Sequence, residues 1–391
     1  MKRKILTMSL DFLDTIPEQE HEKFFKDIFS LNFGIIFYTH DRKRFSSYLK
    51  YQNLYPKNIR FFTRGETRLF IKNEDEKNRF LVIGSKDQDF ILANNFKLVL
   101  LVPSWYKKLE QKALKYGLLI NNLEQLTTFI NTIYNQNYWY SSNKLDDSTY
   151  IFSLSDARSK YYSQSTEEKE IMEIFHDILK DGKLNFYEIF YYHFLSSISN
   201  NQALFNDINI WGIFPSSSGQ LNKEMYNFKE QVRYFMNGKV PPQTNTIYWE
   251  NTNNILIRHT PTTKSHYDKD YERIEYGATK HLNTIHLHPY YDLKKLRGKN
   301  VCIFDDYLTH GNSFECARNL LKAAGVNKII FVTLGTFNKN YQYQNFELSG
   351  NIFSPNYNYK LIDKYIIDKK SFTINKKAKD EVENLHHIFN L

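Results

Sequence analysis

Residues 301–313 read VCIFDDYLTHGNS, and this stretch decides the fold of the second half of the chain. Its apolar start predicts a buried strand, which ends at the acidic pair Asp305 and Asp306. A short loop of small and hydroxyl residues follows, and the apolar spacing beyond it predicts a helix that stops at Gly325. Strand, acidic pair, loop and helix in this order are typical of a ligand site at the carboxyl end of a parallel strand.

The loop and the acidic pair offer different groups to a ligand. Backbone N–H groups of the loop, together with the N-terminus of the helix, favour a phosphate dianion. Neighbouring carboxylates can accept hydrogen bonds from the vicinal hydroxyls of a ribose. The pattern therefore indicates a sugar-phosphate site. The alternative is an ordinary buried strand before a capped helix, with the acids on the surface.

This segment resembles the PRPP-binding signature of the type I phosphoribosyltransferases, in which a hydrophobic strand, an acidic pair, a Thr-x-Gly-x-Ser/Thr loop and a helix follow one another. The resemblance implies that Asp305 and Asp306 are catalytic and hold the ribose 2′- and 3′-hydroxyls. It also implies a cradle for the 5′-phosphate, made of Thr309, His310, Gly311, Asn312 and Ser313. His310 stands where the family usually has Thr or Ser, which removes one hydroxyl donor to the phosphate.

A second loop of small polar residues lies upstream, where residues 211–219 read WGIFPSSSG. A predicted strand leads into a turn whose hydroxyl and N–H groups can donate to an anion. In type I phosphoribosyltransferases, including the subset that resembles ComF-type proteins, such a loop holds the pyrophosphate of PRPP. The resemblance therefore implies PRPP binding by Ser216, Ser217, Ser218 and Gly219. A plain Ser-rich turn is the alternative.

The polar residues 261–273 resemble the flexible hood that closes over PRPP in these enzymes. The resemblance implies that Lys264 and Arg273 are catalytic cations that meet the pyrophosphate. Arg258, at the end of a predicted strand, is a further candidate for PRPP binding. Closure of a hood would exclude water from a reactive glycosyl donor. For each of these side chains the alternative is a solvated surface loop.

The activity that this resemblance implies is displacement of pyrophosphate from C1 of PRPP by a base or another nitrogen nucleophile. Mg²⁺ is expected to enter with PRPP, held chiefly by substrate oxygens and water. The hood and the segment after Leu334 are expected to recognise the acceptor, which the sequence does not identify. A non-catalytic module that senses PRPP or a nucleotide is an alternative, and His310 favours it.

The first half of the chain resembles the haloacid-dehalogenase (HAD) superfamily. Residues 5–15 (ILTMSLDFLDT) take the place of its first motif, with Asp11 directly after a predicted strand. Thr39 ends a second predicted strand, as the second motif requires, and Asp89 takes the place of an acid in the fourth motif. The resemblance implies a HAD-like site at Asp11 and Thr39, with Asp89 as a weak Mg²⁺ ligand.

Two departures from the HAD pattern indicate a degenerate domain. Leu13 stands where the family's phosphatases have an acid, so the general acid for the leaving group is missing. Ser85 replaces the first acid of the fourth motif, which weakens the expected cation site. A nucleotide phosphatase in this half of the chain is the alternative interpretation.

Length and composition bound these interpretations. With 391 residues, the chain is predicted to be an α/β protein of two doubly wound domains, since single domains are usually smaller. Residues 1–145 are assigned to the HAD-like domain and 146–355 to a type I phosphoribosyltransferase domain with a flexible hood. Residues 356–391 are expected to be a C-terminal tail with a short helix.

Charge and cysteine content bear on partners and location. The net charge of +9 favours anionic partners, but Lys and Arg are spread along the chain, so nucleic-acid binding is not expected. Two cysteines without metal-ligand spacing indicate a reducing compartment. No signal peptide or membrane span is visible, which predicts a cytoplasmic protein without a membrane partner. PRPP and an unidentified base or nucleotide are the expected partners, and the sequence leaves a homodimer open.

Overall fold

The protein is described by a computed structural model that covers residues 3–136, 139–158, 191, 193–195, 197–198, 202–219, 222–236, 238, 254–262, 270–292 and 294–389. Contacts divide the chain into two compact units, chiefly residues 1–137 and chiefly residues 138–389. Each unit combines helices with a six-stranded sheet, which confirms the predicted α/β class. In the described part of the chain, no helix is long and apolar enough to cross a membrane.

The first unit is built on a parallel sheet. Its strands are β1 (Lys4–Ser9), β2 (Phe33–Thr39), β3 (Ile59–Thr63), β4 (Phe80–Ile83), β5 (Leu100–Pro103) and β6 (Leu118–Ile120). They lie in the order β3-β2-β1-β4-β5-β6, and every pairing is parallel. Because the order reverses at β1, right-handed crossovers place helices on both faces of the sheet.

Amphipathic helices connect these strands. They are α1 (Leu10–Leu13), α2 (Glu18–Ser30), α3 (Leu49–Leu54), α4 (Arg64–Asn73), α5 (Asp87–Phe96), α6 (Gln111–Tyr116) and α7 (Leu123–Gln136). In α2, the buried residues Phe24, Phe25 and Ile28 recur at helical spacing and form one apolar face against the sheet. A capping box starts α4, since the side chains of Thr63 and Glu66 each accept a main-chain N–H of the other.

The second unit contains a mixed sheet and two ribbons. Its strands are β7 (Ser141–Asp146), β8 (Thr149–Asp156), β9 (Ile210–Ile213), β10 (Leu256–Arg258), β11 (Ile285–Leu287), β12 (Asn300–Leu308), β13 (Lys328–Thr336), β14 (Tyr341–Gly350), β15 (Tyr357–Ile367) and β16 (Thr373–Ile374). The six-stranded sheet has the order β16-β7-β8-β13-β12-β9, while β10 pairs with β11 and β14 with β15. Since β8, β13, β12 and β9 are parallel, their carboxyl ends meet at one edge.

Helices of the second unit cover this sheet and support the loops that follow its strands. Their described members are α8 (Gln202–Phe205), α9 (Lys223–Phe235), α10 (Asp270–Tyr276), α11 (Thr279–Leu282), α12 (Asn312–Ala323) and α13 (Lys377–Phe389). On one face of the sheet, the Trp211 and Phe304 rings stack at 5.8 Å. On the other, Phe314 of α12 stacks on Phe331 of β13 at 4.2 Å. Burial on both faces explains the continuous apolar run of β12.

The domain boundaries differ from those predicted. The expected break at residue 145 falls inside β7, which pairs antiparallel with β8 and so belongs to the second unit. Residues 356–389 of the expected tail are also part of that unit, and residues 390–391 lie outside the described part of the chain. Within that unit, β15 forms a ladder with β14. Buried Glu381 of α13 is joined to Nδ1 of His193 by a hydrogen bond of 2.9 Å. Main-chain ladders and long-range contacts of this kind are invisible to composition.

Candidate functional site

The acidic pair lies at the carboxyl end of β12, where the strand leaves the core. Asp305 is partly buried, and Asp306 is exposed. The Asp306 N–H donates to Oδ1 of Asp305 (2.9 Å), and the Tyr307 N–H donates to Oδ1 of Asp306 (2.6 Å). These main-chain bonds fix the orientation of both carboxylates at the edge of the sheet.

The surroundings of the pair oppose ionisation. Although both side chains keep contact with solvent, crowding by the strand end removes much of their hydration. This loss, followed by the charge of Asp306, raises the pKa of Asp305 well above its ordinary range. Loss of hydration also raises the pKa of Asp306, while the Ser313 hydroxyl works to lower that of Asp305. Two acids held together against such opposition are more typical of a ligand site than of a structural one.

The loop after β12 turns at Gly311, which precedes α12 and has a φ of +82°. A Cβ atom at this position would lie 2.0 Å from the Tyr341 ring. Neither the left-handed backbone nor the available space accepts a side chain, so the turn requires glycine. The turn brings the first N–H groups of α12 to the same edge as the acidic pair, where they favour an anion.

A buried charge network, which sequence reasoning missed, holds this turn against β14. The Tyr341 hydroxyl donates to Oε1 of Glu315 (2.7 Å). Oε2 of Glu315 accepts from the Gln344 N–H (2.8 Å) and from Nη2 of Arg318 (2.6 Å). Glu315 and Arg318 are fully buried. Burial raises the pKa of Glu315, and Arg318 works against this shift. The network therefore ties α12, β14 and the glycine turn together.

His310, the departure from the family pattern, faces inward. It is 7% exposed, and its Nδ1 donates to the carbonyl of Asn340 (3.0 Å). Its own carbonyl accepts from the Gln342 N–H (2.9 Å). His310 thus anchors the loop to the start of β14 through its Nδ1 and its main-chain carbonyl. The partly exposed side chains of the predicted cradle are those of Thr309, Asn312 and Ser313.

The Ser-rich loop follows β9, the neighbour of β12, so both predicted loops lie at one edge. Within this loop the hydroxyls of Ser216 and Ser218 are 2.8 Å apart. The Thr262 N–H donates to the carbonyl of Ser217 (2.8 Å). Gly219 has a φ of +80°, and a Cβ there would lie 3.7 Å from the Arg258 carbonyl oxygen. The loop therefore rests on the segment that follows β10 and remains partly exposed.

Arg258, which ends β10, is 6% exposed. Its guanidinium donates to the Thr284 hydroxyl (2.5 Å), the Pro215 carbonyl (3.4 Å) and Nδ1 of His281 (3.2 Å). Burial lowers the pKa of His281 to about 3, so that ring accepts in its neutral form. Burial lowers the pKa of Arg258, and the charge of Asp305 is among the groups that oppose this. The Arg258 guanidinium is therefore buried and bonded to protein groups, which differs from the predicted direct contact with PRPP.

Most of the predicted hood lies outside the described residues. Lys264 belongs to the undescribed residues 263–269. Arg273 lies in α10, but its side chain is also outside the described part. Their contacts with pyrophosphate stay predictions.

Sequence reasoning missed the polar end of β8, whereas the end of β13 lies in the segment after Leu334 that was predicted to recognise the acceptor. Asp156 ends β8 and is followed by Arg158, while Phe337 and Asn338 follow β13. Residues 150–156 read YIFSLSD, an apolar run before an acid that could have predicted this strand. All four carboxyl ends therefore carry groups able to contact a ligand.

In the first unit, Asp11 follows β1 at the carboxyl edge of the sheet, where the sequence predicted it. It forms ion pairs with Nη1 of Arg44 (2.6 Å) and with Lys86. Burial works to raise the pKa of Asp11, but Lys86 and Arg44 outweigh it, and the pKa is lowered. Thr39 ends β2 and is buried, and its hydroxyl accepts from the Asp41 N–H (3.4 Å). Asp11 therefore already has two cationic partners within the chain.

Asp89 does not have the environment expected of a Mg²⁺ ligand. Its Oδ1 accepts from the Tyr38 hydroxyl (2.8 Å) and Arg64 (3.2 Å), and its Oδ2 accepts from the N–H groups of Ser85 and Lys86 (3.0 Å each). Burial raises its pKa, and these donors oppose the shift. Four protein donors use both oxygens, which corrects the predicted metal role. No group of three or more His, Cys, Asp or Glu side chains suited to a metal ion occurs among the described residues.

Comparisons with protein-family profiles, curated protein sequences and solved structures give no significant match for this chain. Function is therefore inferred from the side chains at the two sheet edges. The edge of the second unit holds an acidic pair, a glycine turn before a helix, and a Ser-rich loop on adjacent strands.

Proposed function

We propose that the second unit is a type I phosphoribosyltransferase that binds PRPP and transfers its phosphoribosyl group to a base or another nitrogen nucleophile. The strongest support is the position of Asp305 and Asp306 beside the Gly311 turn, on the strand next to the Ser-rich loop. Two carboxylates suit vicinal ribose hydroxyls, and main-chain N–H groups at a helix N-terminus suit the 5′-phosphate. The spatial order of these groups fits a phosphorylated ribose with its leaving group at C1.

In this proposal the protein acts by position and charge. Asp305 and Asp306 orient the ribose, and their negative charge lies on the side where an oxocarbenium-like transition state becomes positive. The hydroxyl and N–H groups of Ser216–Gly219 donate to the departing pyrophosphate. The buried charge of Arg258 supports the loop from beneath.

Mg²⁺ enters this proposal with PRPP, whose departing charge it would neutralise. Two carboxylates are too few for an all-protein cage, which suits an ion that keeps several waters and binds substrate oxygens. Asp305 and Asp306 are the described residues that would complete its shell.

Calorimetric titration of PRPP and Mg²⁺ into the full chain tests binding. We expect the Asp305→Asn/Asp306→Asn double variant to lose PRPP binding because it loses both charged acceptors for the ribose hydroxyls. Asp363→Asn, an exposed change on β15, is the matched control and should bind as the wild type does. An unchanged affinity in the double variant would refute the assignment.

A PRPP-sensing module without turnover is the second candidate, and His310 favours it. Because position 310 is a histidine, the cradle has one hydroxyl fewer than the family pattern, and Nδ1 of this imidazole donates to Asn340 instead. Pyrophosphate release across a panel of bases separates the candidates. PRPP binding with no release from any base would favour sensing.

For the first unit, we infer a HAD-like domain that lacks phosphatase activity. The parallel sheet that reverses at β1 and the position of Asp11 support the fold assignment. Position 13 holds a fully buried leucine, which cannot act as a general acid. Phosphate release from nucleotides by the full chain that disappears in Asp11→Asn would contradict this inference.

A further inference from the structure

Four parallel strands end at the carboxyl edge of the second sheet, and the proposed PRPP site uses two of these ends. If the ribose phosphate lies at the end of β12 and pyrophosphate at the end of β9, the ends of β13 and β8 remain for the acceptor. Register pairs Leu308 with Thr336, and Thr336 with Asp156. Neighbouring strands lie about 4.8 Å apart, so Asp156 is about 10 Å from the end of β12. That distance suits a planar ring beside the ribose.

Arg158 and Asp156 form a two-bond ion pair at the end of β8. Nε of Arg158 donates to Oδ1 of Asp156 and Nη2 donates to Oδ2, both at 3.0 Å. The Tyr140 hydroxyl donates to the same carboxylate (2.5 Å). The Asp156 side chain is 5% exposed, whereas that of Arg158 is 41% exposed. A buried acid therefore holds one edge of a guanidinium whose remainder reaches solvent.

Further polar contacts fix the same guanidinium. With its amide oriented to satisfy its neighbours, Asn338 accepts through its oxygen from Nη2 (2.9 Å) and Nε (3.3 Å) of Arg158. Among the described residues no acceptor contacts Nη1 of Arg158. The guanidinium is thus preorganised, with one donor edge directed away from Asp156.

Charge at this cluster is positive. Lys379 lies 3.6 Å from Oδ2 of Asp156, so two cations, Arg158 and Lys379, share one carboxylate. Asp156 has a lowered pKa, because Arg158 and Tyr140 outweigh the effect of burial, and it remains ionised. The net charge of these three groups is +1, which favours an anionic substituent on a ligand.

Two aromatic rings stand between this cluster and the acidic pair. Tyr307 follows Asp306 on β12, and Phe337 precedes Asn338 after β13. Their ring centroids are 5.4 Å apart with an interplanar angle of 48°. Both rings are partly exposed, so they offer apolar surface to a planar ligand.

We propose that the acceptor is a planar nitrogen heterocycle that carries a carboxylate. Its ring would lie against Tyr307 and Phe337, and its carboxylate would bind the open edge of Arg158. This inference rests on the proposed transferase function and names the acceptor class for it. In the reaction, the lone pair of the ring nitrogen forms the N–C1 bond. The C1–O bond breaks, and pyrophosphate leaves with the electron pair of that C1–O bond. An acceptor nitrogen that carries a proton releases it to water.

The test compares each acceptor with its uncharged counterpart. Pyridine and pyrimidine carboxylates are measured against the matching carboxamides, by saturation-transfer binding with PRPP present and by pyrophosphate release. For the full chain we expect at least a tenfold preference for one or more carboxylates. Equal use of carboxamides, or no binding of any carboxylate in the presence of PRPP, would overturn the inference.

Variants of Arg158 assign that preference to a side chain. Arg158→Gln should remove the preference by raising KM for the carboxylate at least tenfold, with PRPP affinity unchanged. Arg158→Lys keeps a cation for Asp156 but loses the open guanidinium edge, and it should lower the preference in a chain that still folds. Arg297→Gln, exposed near the start of β12 at the opposite sheet edge, is the control and should change nothing.

PRPP binding, measured separately in every variant, distinguishes the two proposals. Absence of PRPP binding in the wild type refutes the transferase assignment. PRPP binding together with a carboxylate preference that survives in Arg158→Gln refutes only the acceptor site.

Discussion

At the scale of single residues, the acidic pair has opposite consequences for ligand binding and for stability. Folding raises the pKa of both Asp305 and Asp306, so the folded chain holds these protons more tightly than the unfolded chain does. Stability therefore falls as pH rises from the ordinary aspartate pKa of about 4 through the raised values. The charges that would orient a ribose hydroxyl are thus unfavourable without a ligand.

Asp305→Asn should make the second unit more stable while weakening PRPP binding. Removing one charge of the pair relieves repulsion and desolvation at neutral pH. A gain of about 1 kcal/mol corresponds to a rise of about 2–4 °C in Tm for a unit of this size. Thermal unfolding from pH 4 to 8 checks this, since the gain should shrink toward pH 4. A lower Tm at pH 7 would show that the carboxylate is structural.

Gly311→Ala should damage the fold more than an equivalent change elsewhere. At Gly298, φ is +70° with open space around the position, so alanine there costs only the backbone term of about 1–2 kcal/mol. At Gly311 the same backbone term is joined by a 2.0 Å approach to the Tyr341 ring. Denaturant unfolding of both variants measures the difference. Equal losses would mean that the ring moves aside freely.

At the scale of elements, the contact between α12 and β14 controls the shape of the loop between β12 and α12. Tyr341→Phe keeps the ring over Gly311 but removes the hydroxyl that donates to buried Glu315. Leaving that carboxylate with one donor fewer should cost about 1–3 kcal/mol. Tyr359→Phe, whose hydroxyl contacts Asn283 at the surface, is the control and should cost less than about 1 kcal/mol. Similar losses of unfolding free energy in both variants, measured by denaturant unfolding, would contradict this role of the contact between α12 and β14.

In the first unit, the start of α5 depends on Asp89. Asp89→Asn has the same shape, but its amide N–H₂ would face the N–H groups of Ser85 and Lys86, and Arg64 would lose its buried anion. We expect a loss of about 3 kcal/mol or more in unfolding free energy, against almost none for exposed Asp75→Asn. Mg²⁺ without PRPP should leave the wild-type Tm unchanged. A Mg²⁺-dependent rise that Asp89→Asn abolishes would restore the metal-ligand interpretation.

At the scale of the whole molecule, sequence patterns predict elements whose burial leaves a plain periodic signal. β2 and β12 are buried on both faces and read as continuous apolar runs, while α2 and α12 show one apolar face each. The acidic pair and the glycine turn were predictable because they lie within one short local segment. These features account for the α/β class and for the centre of the candidate site.

Other features depend on contacts between distant parts of the chain. β15 is exposed along most of its length, so no apolar run marks it, and the ladder with β14 alone defines it. The network of Glu315 and Tyr341 joins residues far apart in sequence. Asp89 matches a motif position, yet four donors from three separate segments of the chain occupy its carboxylate oxygens. Such properties follow from tertiary structure, which no local pattern contains.

The ion pairs around Asp11 have a consequence for the cell. An ammonium and a guanidinium fixed to the polypeptide cannot be chelated or diluted away, unlike a divalent ion recruited from solution. The electrostatic balance at that edge should therefore persist under magnesium starvation. A shortage of Mg²⁺ would then affect only a site to which the substrate brings the ion, as proposed for PRPP in the second unit.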